Sequence, residues 1–111
     1  MTEVNYNISQ GATWSELLRF SRDEGTKEVI PANEISRVDV TLRRETNRNS
    51  PVVLAQENLA RVGNDYPLAL TPDQTENIGS GRVYGHVKLT YSTGVVTYPC
   101  LLVLTLDPTT T

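Results

Sequence analysis

Turn signals recur along this chain at short intervals. Gly11, Gly25, Pro31, Asn47 to Pro51, Gly63-Asn64-Asp65, Pro72, Gly79 to Gly81 and Gly94 cut it into short apolar runs. A chain that reverses so often has no space for long helices. Short runs between turns are the pattern of an all-β sandwich or barrel. Inside the runs, apolar and polar residues alternate, which is the two-residue period of a half-buried strand.

The runs place the strands. Val4, Tyr6 and Ile8 alternate in the first. Residues 13–20, TWSELLRF, put Trp14, Leu18 and Phe20 on one parity. Trp14, Leu17, Leu18 and Ser21 also fit a helical spacing, but the run is short and a turn-like SRDEG follows, which favours strand. In residues 35–45, Val38, Val40 and Leu42 point inward and Arg37, Asp39, Thr41 and Arg43 outward. Residues 51–58 and 66–70 give two shorter strands. Residues 82–91 and 95–106 form a hairpin around Ser92-Thr93-Gly94. Its first arm turns Val83, Gly85, Val87, Leu89 and Tyr91 inward and Arg82, Tyr84, His86 and Lys88 toward solvent. Pro99 lacks the N–H a ladder needs, so it marks a bulge or an edge and predicts that the last strand lies at a sheet edge.

One segment reads as helix. Thr71 is an N-cap, Pro72 takes the first helical position, Gln74 completes a capping box and Gly79 closes a short helix over 72–78. The expected core holds Trp14, Phe20, Val38, Val40, Leu42, Leu68, Leu70, Val83, Val87, Leu89 and Tyr91. The prediction is an immunoglobulin-like β-sandwich of about seven strands with one short helix. It spans 1–111 as a single domain with extended polar termini, and 111 residues suffice for such a core.

Charge and composition narrow the function classes. The net charge is −3, so no overall basic excess draws the chain to nucleic acid or an anionic membrane. The longest apolar stretch, YPCLLVL at 98–104, is far below the ~18 residues that read as a span. MTEVNYNISQG has neither a basic start nor an apolar stretch, so no secretory signal is expected. Chance then explains the sequon Asn7-Ile8-Ser9.

Candidate chemistry is sparse. A zinc site needs about three or four ligands, and the chain has one histidine, His86, and one cysteine, Cys100. His86 therefore reads as an exposed strand residue and Cys100, among Tyr98, Pro99, Leu101 and Leu102, as a buried, inert thiol. The carboxylates are scattered, Asp23-Glu24 in a loop and Glu3, Glu16 and Glu34 isolated, and with one Trp and one Phe there is little aromatic surface for a sugar cleft. Gly79-Ser80-Gly81 precedes a strand, the wrong side for cradling a phosphate at a helix start. Arg37, Arg43, Arg44 and Arg48 form a local basic cluster, offset by Asp39 and Glu45, that suits an acidic protein face. No cofactor, metal or small-molecule substrate is expected.

The order of the segments carries a resemblance. Ile8-Ser9-Gln10-Gly11-Ala12-Thr13-Trp14, with Phe20, Asp23 and Gly25 after it, resembles the I-x-Q-G-x-T-[FW] and F-x-x-D-x-x-G stretches of small phage and prophage proteins. Ile30-Pro31 and residues 35–43 follow the same pattern, with Ala32-Asn33-Glu34 in place of the usual Leu-Thr-Gly. Leu70 to Thr75, Gly81 to Tyr84, Thr93 to Thr97 and Val103 to Pro108 continue it. The chain is thus similar to the N-terminal immunoglobulin-like domain of siphophage baseplate upper proteins. That resemblance implies a non-enzymatic structural component of a tailed bacteriophage virion, at the tail or baseplate, assembled in the host cytoplasm. A capsid decoration or neck protein is the nearest alternative, and a small carbohydrate-binding module or hydrolase the alternative of another class. Its partners would be copies of itself and other virion proteins. The polar segments 1–7, 43–51 and 107–111 are expected to stay mobile until a neighbouring subunit orders them, and contacts are expected from residues 1–7, 43–51 and 96–111, with Arg43, Arg44, Arg48, Tyr84, His86 and Pro108 as contact residues.

Overall fold

The computed structural model describes residues 2–20 and 29–108. The strands are β1 (Thr2–Ser9), β2 (Trp14–Leu18), β3 (Ile35–Arg43), β4 (Val52–Gln56), β5 (Tyr66–Leu70), β6 (Gly81–Tyr91), β7 (Val96–Thr97) and β8 (Cys100–Asp107), with the helix α1 (Pro72–Ile78) between β5 and β6. The large sheet runs β1-β8-β6-β3-β4, with β7 paired to β6, and β2 pairs with β5 in a second sheet. β8, β6 and β3 hold the places of the G, F and C strands of an immunoglobulin domain. β4 holds C′, and β2 and β5 hold B and E. The protein is an all-β, immunoglobulin-like sandwich with one short helix.

β7 and β8 are a single strand path broken at Tyr98-Pro99. Leu89 pairs with Thr97, but His86 pairs with Leu101, so the register slips by one residue across the break. Pro99 therefore sits at a bulge. It does not mark an edge, because β8 has β1 on one side and β6 on the other. Among the described residues the edge strands of this sheet are β1 and β4. The inference from proline failed because a bulge meets the missing N–H as well as an edge does.

The N-terminal segment also departs from expectation. Residues 2–9 pair in parallel with all of β8, Val4 opposite Leu102, Tyr6 opposite Leu104 and Ile8 opposite Leu106. Ile8 is buried, and Val4 and Tyr6 pack against the core. This segment is held by the chain's own last strand and needs no neighbour to order it. The Asp23-Glu24 turn, Gly25 and residues 109–111 lie outside the described residues.

Both sheets contribute to one core. Val38, Val40, Leu42, Leu68, Leu70, Val83, Val87, Leu89, Leu102, Leu104 and Leu106 are almost fully buried, and Phe20 joins them. Trp14 and Tyr91 are only half-buried at its margin. Trp14 stands edge-on to Tyr6 at 5.3 Å. Gly85 is needed on the inner face, because a Cβ there would lie 3.1 Å from Leu102 Cβ and 3.2 Å from Leu42 Cδ2.

The helix follows its local signals. Thr71 Oγ1 accepts from Gln74 N at 3.2 Å, Gln74 Oε1 accepts from Thr71 N at 2.9 Å, and Gly79 ends the helix at φ 82°. Seven residues are too few for a helix to stand alone in water. Thr75 docks it: its buried hydroxyl accepts from Gly11 N at 3.0 Å and donates to the Ala12 carbonyl at 2.9 Å. The Ala32-Asn33-Glu34 departure is a 3-10 turn leading straight into β3.

Candidate binding cleft

The outer face of the large sheet carries the polar parity of β3 and β6. Register places Asp39 opposite Lys88, Thr41 opposite His86 and Arg43 opposite Tyr84. Residues 44–50 then fold back over this face. Asn47 Oδ1 accepts from Asn49 N at 2.9 Å, and Ser50 N and Oγ both donate to the Asn47 carbonyl. This is the side-chain-assisted turn that asparagine favours. Arg43 Nη1 donates to the Ser50 carbonyl, which ties the turn to the end of β3. Arg48 lies over the Tyr98 ring at 3.9 Å from its centroid.

Between turn and sheet is a cleft of about 530 Å³, lined by Asp39, Thr41, Arg43, Asn47, Arg48, Asn49, His86, Lys88 and Tyr98. A smaller cavity of about 340 Å³ lies alongside and adds Thr46, Cys100 and Leu101 to the shared residues.

His86 is the main correction. Its parity is outward as expected, yet it is only 7% exposed. The turn covers it, and its Nε2 lies 3.4 Å from the Glu45 carbonyl. A carbonyl only accepts, so that contact wants the proton on Nε2. Burial pushes the ring's pKa down. The Glu45 contact works the other way, and the nearby Arg43 and Arg48 charges add to the depression. The site therefore favours the neutral ring.

Asp39 is buried on the same face. Arg37 Nε reaches both of its carboxylate oxygens at 3.1 Å and Arg37 Nη2 reaches Oδ1 at 2.8 Å. The Asn58 N–H also donates to Oδ1 at 2.8 Å. Burial disfavours the carboxylate, but the Arg37 hydrogen bonds, the Asn58 amide and the Arg37 and Lys88 charges outweigh it and hold its pKa below the usual value. Asp39 is thus satisfied from β3 and the 57–59 turn.

The expected contact residues separate into groups. Arg43, Arg48 and His86 meet in the cleft. Tyr84 is half-buried beside Arg43. Arg44 turns away, and its Nη2 donates to the Ile78 carbonyl at the end of α1, where a cation complements the helix dipole. Pro108 is exposed beyond β8. The 43–51 segment is thereby tied to its own sheet and helix, contrary to the expectation that it stays mobile in an isolated chain. Lys88, Asn47, Asn49 and Tyr98 join the site without having been expected there. Lys88 was legible from its shared parity with His86. Tyr98 was not, because the bulge at Pro99 breaks the alternation that would have placed it.

Cys100 is half-buried against the core, and burial pushes its thiol pKa up. Among the described residues, no three or more His, Cys, Asp or Glu side chains gather where they could hold a metal ion. Also among them, no helix is long and apolar enough to cross a membrane.

No family model and no curated protein matches the chain. Solved structures do. It is similar to fibronectin(III)-like modules of Clostridium thermocellum CbhA, with 10% identity, 99% of this chain and 94% of that chain covered, and a TM-score of 0.48. It is also similar to an extracellular-domain structure of the voltage-gated sodium channel beta4 subunit, with 9% identity, 99% and 95% covered, and a TM-score of 0.45.

Proposed function

We propose that this chain is a non-enzymatic structural component of a tailed bacteriophage virion, placed at the tail or baseplate and working through protein–protein contacts. The order of its segments motivates the virion, and one observation supports assembly. Among the described residues β4 ends the large sheet with one ladder side unpaired, and Val52 at its start is 51% exposed. An open edge strand of this kind is a template for a strand from another chain. The attachment surface moves accordingly from the last strand, now interior, to β4. Purified tailed particles from a lysogen carrying the gene, probed by mass spectrometry, should contain the chain at a fixed copy number. Val52→Glu, a change at an exposed side chain, should leave the monomer folded and lower incorporation severalfold. A chain absent from particles would overturn the reading.

A further inference from the structure

We infer that the cleft under the 44–50 turn is a binding site for a carboxylate- or phosphate-bearing group of sugar size, gripped by Arg43, Arg48 and Lys88. This goes beyond the virion reading and stands or falls separately from it.

The cleft wall presents three cationic side chains and one carboxylate. That carboxylate, Asp39, is already engaged by Arg37 and by the Asn58 amide. Lys88 also faces Asp39 and helps to stabilise its carboxylate, yet three cations against one carboxylate leave the wall net positive, in a chain whose net charge is −3. A local cationic wall on an acidic protein favours an anion.

Geometry points the same way. Arg43 Nη1 is fixed by the Ser50 carbonyl, while its Nε is buried with no hydrogen-bond partner among the described residues. A buried donor left unmet is costly, and a ligand oxygen brought against it would satisfy it with a charge-assisted bond. Arg48 is held in place by the Tyr98 ring at 3.9 Å, so less side-chain freedom is lost on binding. Asn47 spends its carbonyl oxygen on the Asn49 amide, so what it offers a ligand is its NH2 donors. A volume of about 530 Å³ falls inside the ~300–1,000 Å³ range of small-molecule sites and exceeds what a bare ion fills.

The same anionic chemistry can come from a free acidic sugar or from an acidic side chain of a bound protein. Titrating labelled protein with glucuronate, with a tetraglutamate peptide and with glucose separates them. The readout is the Arg43 Nε–Hε and His86 ring signals by NMR. Glucuronate or tetraglutamate should shift both signals with an affinity of about 1 mM or tighter, and whichever binds more tightly identifies the source. Arg48→Gln and Lys88→Gln, both at side chains reached by solvent, should each weaken binding by about tenfold. Glucose should leave the signals in place. Equal response to glucose, no response to either anion, or unchanged affinity in both variants would each overturn the inference.

Discussion

The two faces of the large sheet are built from the same strands and end up buried by different means. On the inner face, Val38, Val40, Leu42, Val83, Val87, Leu89, Leu102, Leu104 and Leu106 meet the second sheet in an apolar core. On the outer face, Asp39, His86, Leu101 and Val103 are also buried, yet among the described residues no second sheet lies there. On the β3–β6 side the chain's own polar 44–50 turn covers His86, leaving a cleft beneath. Alternation in a strand decides which side a residue faces. Exposure is decided by whatever packs on that side, and a turn that arrives from beyond the strand is invisible to the two-residue period.

Neighbouring leucines on β8 test this contrast most strongly. Leu102 faces the core and Leu101 the cleft side. Leu102→Ala should cost about 2–5 kcal/mol of unfolding free energy, as large-to-small changes in closed cores do. Leu101→Ala should cost less than that but more than the ~0.5 kcal/mol of a surface change. Urea denaturation of both variants measures it. A surface-like cost at Leu101 would mean that the outer face is open.

A smaller effect follows from pH. The folded His86 ring holds its proton less tightly than the unfolded one. As pH falls below about 6.5, the unfolded chain takes up that proton first, so folding stability declines until the folded ring's own lower midpoint is passed. The slope from one proton is at most about 1.4 kcal/mol per pH unit. His86 is the chain's single histidine, so His86→Gln should flatten the stability profile between about pH 5.5 and 7. A profile unchanged by the substitution would remove His86 from the account.

What the sequence made legible was local. The capping box and Gly79 placed α1, and parity placed the inner face, because each depends on residues a few positions apart. The parallel pairing of β1 with β8 joins residues almost a chain length apart, and nothing in MTEVNYN announces it. Pro99 was legible as a disruption, but a bulge and an edge look alike in one dimension. The arginine cluster was visible as composition. Its division, with Arg44 toward α1 and Arg43 and Arg48 toward the cleft, required the turn at Asn47 to be folded first. Asp39 looked like an offsetting surface charge, since its second partner, the Asn58 amide, lies 19 positions away.

The protonation midpoint of His86, followed by NMR of its ring, tests the covered outer face most directly. A ring buried under the 44–50 turn and flanked by Arg43 and Arg48 should titrate below the ordinary value of about 6.5, with Nε2 carrying the proton in the neutral form. A midpoint at or above that value, with the ring tautomers averaging as in a free side chain, would contradict the account and return His86 to solvent.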